Sequence, residues 1–252
     1  TNVSVMDSMF EGAISFNQDL SDWTVDSVTS MRSVFRNTQS FNNGCPFDET
    51  TCPLNDWNVA NVTVFEEMFR SAEAFNQSVA SWSMQQAQTV KGMFNSAHAF
   101  NQDLSGWQLV SATDLSYMFD NAKKFNNGCA AGVSTCPLSW TLGSAKLLTN
   151  TLSGPNEFMQ AIDSWDVSTV THMDLMFEGN IKFDRPLESW DVRNVTNMFG
   201  MFKSSAFTQD ISGWCVAHID QVPVNFDAST NTVHWTEAEK PAWGTTVASC
   251  TD

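Results

Sequence analysis

Tryptophan recurs along this chain at Trp23, Trp57, Trp82, Trp107, Trp140, Trp165, Trp190 and Trp214. A phenylalanine keeps step before each, at Phe16, Phe41, Phe75, Phe100, Phe125, Phe158, Phe183 and Phe207. The common interval is 25 residues, and two intervals are longer by eight or nine. One unit is therefore written eight times, so closely that "FNQDLSDW" at 16–23 returns as "FNQDLSGW" at 100–107. Self-similarity at this period restricts the chain to a stacked-repeat architecture, in which each unit buries its apolar face against its neighbours.

Within one unit, Leu20, Trp23 and Val25 stand as L-x-x-W-x-V, the spacing of a leucine-rich-repeat strand segment. Val28, Met31, Phe35 and Thr38 follow at i, i+3, i+7 and i+10, which predicts a short helix. The residue before the Val28 column is Asn2, Ser27, Asn61, Gln86, Ser111, Ser144, Thr169 or Asn194, and nearly all of these suit an N-cap. The fold expected from this reading is an α/β repeat solenoid of leucine-rich-repeat type. Eight strand–short helix coils would span residues 1–216, with a parallel sheet on the concave face. A C-terminal cap would occupy 217–252. The Asn of "FNQ", at Asn17, Asn42, Asn76, Asn101 and Asn126, is expected to form a ladder serving turn backbone groups.

Six cysteines fall into sequence pairs. Cys45 and Cys52, and Cys129 and Cys136, lie in the insertions at 45–53 and 129–137; Cys215 and Cys250 flank the tail. Fifteen pairings are formally open, and proximity favours 45–52, 129–136 and 215–250. No C-x-x-C spacing or accompanying His suggests zinc. Disulfides imply an oxidising, extracellular or cell-surface setting. With 28 acidic and 12 basic residues, the net charge is −16. Such a chain repels phosphate backbones, so nucleic acid is not expected as a partner. No apolar run is long enough to span a bilayer, so no membrane insertion is expected.

The stretch "MFEGAISFNQDLSDWTVDSVTSM" at 9–31 closely resembles the 25-residue pattern of the BspA-like leucine-rich-repeat surface proteins, "MFxxAxxFNQDLSxWDVSxVTxM". The resemblance covers residues 1 to about 216, and "KPAWGT" is similar to the family's closing segment. It implies an extracellular or surface protein that makes adhesive contacts with proteins or glycans. The fifth unit, "CPLSWTLGSAKLLTNTLSG", departs from the pattern, and local irregularity is expected there.

No catalytic constellation is visible, and His98, His172, His218 and His234 occupy different columns, so an enzyme is not expected. On a strand, residues flanking each Trp would face outward. Asp22, Asp26, Asp56, Asn58, Asp166 and Asp191 are thus the candidate ligand-binding residues of a polar concave face. No cofactor is expected; calcium could at most bridge Asp22, Asp26 and Asp56, although no EF-hand-type loop is present. Asn61, Asn194 and Asn2 are candidate glycosylation sites. Residue 3 already stands in the Val column, so the strand before the first helix is missing: either the sequence is cut inside a repeat array, or another chain or domain covers that end, a preceding domain or a second protomer. The expected function is adhesion or matrix assembly through protein contacts, with self-association at that end. The alternative is a glycan-binding module using the concave face, assisted by calcium.

Overall fold

A computed structural model describes residues 3–46, 49–230 and 235–244. The eight units stack as coils, but the coils contain neither the expected strand nor the expected helix. Among the described residues the single helical element is one 3-10 turn, Glu237–Glu239. Ladder pairing is limited to isolated parallel bridges. One series runs Val5, Ser30, Val64, Thr89, Asp114, Leu147, His172, Asn197, one residue per coil, and one further bridge joins Gln108 to Thr141. The α/β solenoid with a parallel sheet is therefore corrected to a stack of turn-built coils.

The reason lies in the backbone at two columns four residues apart. Ser8, Ser33, Glu67, Gly92, Tyr117, Asn150, Leu175, Gly200 and Asn225 all have φ between 51° and 60° or close to it, the left-handed region. Gly12, Asn37, Ser71, Ser96, Asn121, Gly154, Gly179, Ser204 and Ser229 repeat the feature one turn later. A right-handed helix cannot pass through a left-handed residue every fourth position. The chain closes tight turns instead. Met9 N–H donates to the Met6 carbonyl and Ala13 N–H to the Phe10 carbonyl, with Ser8 and Gly12 at the third turn position, where a type II turn places its positive φ.

Backbone donors alternate between these turns and the next coil. Met6, Ser8, Phe10 and Gly12 donate to the carbonyls of Ser30, Arg32, Val34 and Arg36 at 2.8–3.0 Å. Met31, Ser33, Phe35 and Asn37 repeat this onto Val64, Glu66, Met68 and Arg70. A helix would have consumed every one of these N–H groups internally. The L-x-x-W segment is also a turn, because Trp23 N–H donates to the Leu20 carbonyl at 3.0 Å. Nor does the polar column before Val28 cap helices. Asn61 and Asn194 donate side-chain N–H to the Asp26 and Ser168 carbonyls, and the Thr169 hydroxyl donates to the Ala145 carbonyl.

The core is a set of ring columns. Phe35 stacks on Phe41 within its coil at 3.9 Å, and on Phe69 of the next coil at 5.5 Å. Phe69–Phe94 and Phe94–Phe119 continue that column at 5.6 and 5.7 Å. Trp140, Trp165, Trp190 and Trp214 stack in succession at 5.4, 6.4 and 6.2 Å. These rings are buried throughout the middle of the stack, and such offset contacts add to their area burial. Each buried indole also reaches back one coil: Trp82 Nε1–H donates to the Leu54 carbonyl at 2.8 Å, and Trp190 to Ile162 at 3.1 Å.

The asparagine column forms as expected. The Oδ1 atoms of Asn17, Asn42, Asn76, Asn101 and Asn126 accept the backbone N–H of Asn42, Asn76, Asn101, Asn126 and Met159 at 2.8–3.1 Å. Cys45–Cys52 and Cys129–Cys136 are bonded. Their loops are near copies: Gln77 and Gln160 each receive a cysteine N–H, from Cys52 and Cys136, at 2.9 Å. Cys215 is disulfide-bonded, while its expected partner Cys250 lies outside the described residues. In the fifth unit Leu152 replaces the ring, and the Thr151 hydroxyl donates to the Leu115 carbonyl of the coil before.

Candidate interaction surfaces

The two ends of the stack differ. At the far end the donors Gly200, Phe202 and Ser204 are met by the carbonyls of Val224, Phe226 and Ala228, which continue the coil register. Phe226 and Trp235 lie edge-on against Phe202, and Trp243 edge-on against Phe226. Trp235 Nε1–H donates to the Gln209 carbonyl at 3.0 Å. Lys240, almost fully buried, ion-pairs with Asp227 and Glu237 and pins this segment.

At the first coil the corresponding groups are open. The carbonyls of Val5, Asp7, Met9 and Glu11 stand where Ser30, Arg32, Val34 and Arg36 accept in the next coil, and they take no hydrogen bond from any described residue. Val5, Met9, Ile14 and Trp23 are exposed, whereas Trp57 and Trp82 in the same column as Trp23 are buried. An apolar hollow of about 330 Å³ is lined by Val3, Met6, Met9, Trp23, Val25 and Val28, with Asp22 and Thr24 at its edge. The Trp23 indole lacks the carbonyl partner from a preceding coil that Trp57 finds in Leu20.

The polar-face candidates lie at the surface, several of them in local turns. Asp22, Asp26, Asp56, Asn58 and Asp166 are exposed, and Asp191 is half-exposed. Asp166 accepts the backbone N–H of Ser168 at 3.0 Å and its hydroxyl at 2.6 Å; these bonds hold its carboxyl below the ordinary value. Asp191 is engaged twice by the Arg193 guanidinium, at 3.0 and 2.8 Å, which likewise holds it low. Asn58 Oδ1 accepts Ala60 N–H at 3.3 Å. These are local Asx-type turns that the side chain makes with its own backbone. The repeated D-x-S does the same at Asp19–Ser21, Asp103–Ser105 and Asp210–Ser212. No group of three or more His, Cys, Asp or Glu residues able to hold a metal ion occurs among the described residues, so Asp22, Asp26 and Asp56 do not converge on one.

Asn61 and Asn194 are exposed, with the amide nitrogens already donating at 2.8 Å to the coil before; Asn2 lies outside the described residues. His98 is 3.7 Å from Glu73, and the His172 ring is 3.0 Å from the Thr171 hydroxyl, in separate places. His234 lies outside the described residues. Among the described residues no helix is long and apolar enough to cross a membrane. The apolar side chains of the first coil, Val5, Met9 and Ile14, were not singled out from the sequence.

A family model described as "Mycoplasma protein of unknown function, DUF285" matches residues 1–50, 46–132 and 134–237, and the chain belongs to that family. This corrects the resemblance to leucine-rich-repeat surface proteins. The match fits a BspA-like repeat surface protein, but the coils carry no leucine-rich-repeat strand. No curated protein and no solved structure matches the chain.

Proposed function

We propose that this member of the Mycoplasma family of unknown function is an extracytoplasmic interaction module whose first coil receives a further coil of the same repeat by coil addition. The observation that carries the reading is the row of open carbonyls at Val5, Asp7, Met9 and Glu11 beside the exposed Trp23. Every later coil uses that same row to receive N–H donors from the coil before it. Adding backbone to an unpaired edge is a general mode of polypeptide recognition, in which main-chain bonds give affinity and side-chain pockets give selectivity. Two first coils meeting face to face would set acceptor against acceptor. The fitting occupant is therefore a further coil of the same repeat, which presents the donor row. The disulfides at 45–52 and 129–136 support an oxidising location.

The test uses a synthetic peptide with the sequence of residues 65–89, one complete coil. The expected result is saturable binding that protects Trp23 from acrylamide quenching and is lost in Met9→Lys. Unchanged Trp23 quenching at saturating peptide, or equal binding by Met9→Lys, would overturn the reading.

A further inference from the structure

On the turn face of coils three to five, the left-handed column runs Glu67, Gly92, Tyr117. Gly92 leaves a gap between its two neighbours, a notch of about 290 Å³ lined by Glu67, Arg70, Lys91, Gly92, Asn95 and Tyr117. The gap is not forced by crowding, because a Cβ on Gly92 would meet Glu67 Cγ at 3.4 Å and Asn95 Cβ at 3.9 Å, ordinary contacts. Tyr117 is the chain's one tyrosine. It is 38% exposed, and its hydroxyl bonds to no described residue. Its φ of 60° is that of the whole turn column, so the repeat's own backbone fixes the place of the ring beside the gap.

The charges around the notch are unequal in their pairing. Glu67 binds Arg36 at 3.0 Å and also Arg70. Asn95 is held by Asp120 at 3.1 Å and by the Ser96 hydroxyl at 3.0 Å. Lys91 forms no ion pair with any described residue; the adjacent Glu66 is taken by Arg32 at 2.6 Å. In a chain of net charge −16, an unmatched ammonium beside an open aromatic ring is a local exception.

We propose that this notch binds a single carboxylate-bearing sugar unit. Its apolar ring face lies on Tyr117, its carboxylate meets the Lys91 ammonium, and its hydroxyls reach Glu67 and Arg70. The size suits one ring, and both donors and acceptors line it, as small polar ligands require. The site is remote in sequence from the first coil and stands or falls independently of coil addition.

The test is saturation-transfer NMR and calorimetry with methyl β-glucuronide, using methyl β-glucoside as the neutral control. Wild type is expected to bind the glucuronide saturably and about fivefold or more tighter than the glucoside, the size of one exposed ion pair. Lys91→Gln is expected to equalise the two. Tyr117→Ala is expected to lose both. Gly92→Asn fills the notch with a residue that the same column already carries at Asn150 and Asn225; it is expected to stay folded, with a small fall in melting temperature at this left-handed position, and to lose binding. Absence of saturable glucuronide binding, equal binding of the two sugars by wild type, or wild-type affinity in a folded Gly92→Asn or Tyr117→Ala protein would each overturn the proposal.

Discussion

The indole nitrogen of Trp57 donates to the backbone carbonyl of Leu20 at 2.9 Å, across 37 residues of sequence. The bond is buried and joins two coils at the same place as the ring column. Trp57→Phe keeps an aromatic ring but removes one of the two bonds to the Leu20 carbonyl, which still accepts the Trp23 N–H at 3.0 Å. Losing one such bond costs about 0.5–1.5 kcal/mol, and urea unfolding should show a loss of that size. Trp23→Phe is the contrast: Trp23 is 39% exposed, and its indole N–H bonds to no described residue. Its change should stay within about 0.5 kcal/mol, as for ordinary surface substitutions.

Asn101 tests the side-chain ladder. Its Oδ1 accepts from Asn126 N–H at 2.8 Å and Gly128 N–H at 2.9 Å, and its Nδ2 donates to the Cys129 carbonyl at 2.8 Å. Asn101→Ala removes all three and should cost about 2–4 kcal/mol, since each stranded group contributes separately. Asn101→Asp keeps the acceptor and should fall between. Equal stability of Asn101→Ala and wild type in denaturant titration would show that the turn groups find other partners.

Two carboxylates should respond to pH in opposite senses. Burial holds the Asp120 carboxyl above its ordinary 3.8, while bonds from Ser153 and Asn95 pull it the other way. A raised folded-state value means that Asp120 favours folding at low pH and that this contribution is lost as pH rises through that value. The hydrogen bond from Arg193 holds Asp191 below 3.8. Its contribution is present at neutral pH and is lost only as pH falls through the lowered value. Measured by urea unfolding between pH 7 and pH 2, the stability of Asp120→Asn relative to wild type should worsen as pH falls. That of Asp191→Asn should improve, with its change confined to the region below 3.8. The same trend in both variants would contradict these environments.

The columns themselves were legible in the sequence, because a buried ring has few substitutes. So were the asparagine ladder and the two short disulfides, where chain proximity leaves little choice. Secondary structure was not. Met6 and Met9 are three apart in a helix and three apart across a tight turn, and Leu20 and Trp23 share the same ambiguity, so spacing alone does not separate the two. The separating signal was glycine. Gly92 and Gly200 fall in one column, and Gly12, Gly154 and Gly179 in another four residues on. Glycine recurring at two fixed places argues against a helix and for positive φ. It was masked by Ser33, Glu67, Tyr117 and Leu175, which hold the same backbone without advertising it. The unpaired carbonyls of the first coil were not legible, because they follow only from the turn-built backbone.

Ser71 tests the turn-built coil most directly. It has φ 55°, its N–H donates to the Asn95 carbonyl at 2.8 Å, and its hydroxyl makes no hydrogen bond with any described residue. Glycine relieves strain at a left-handed position but costs about 0.5–1 kcal/mol inside a helix. The decisive measurement is the unfolding free energy of Ser71→Gly against wild type in urea. The coil described here requires it to rise by about 0.5–1 kcal/mol; a fall of similar size would mean that residues 62–72 are helical and that the stack is built differently.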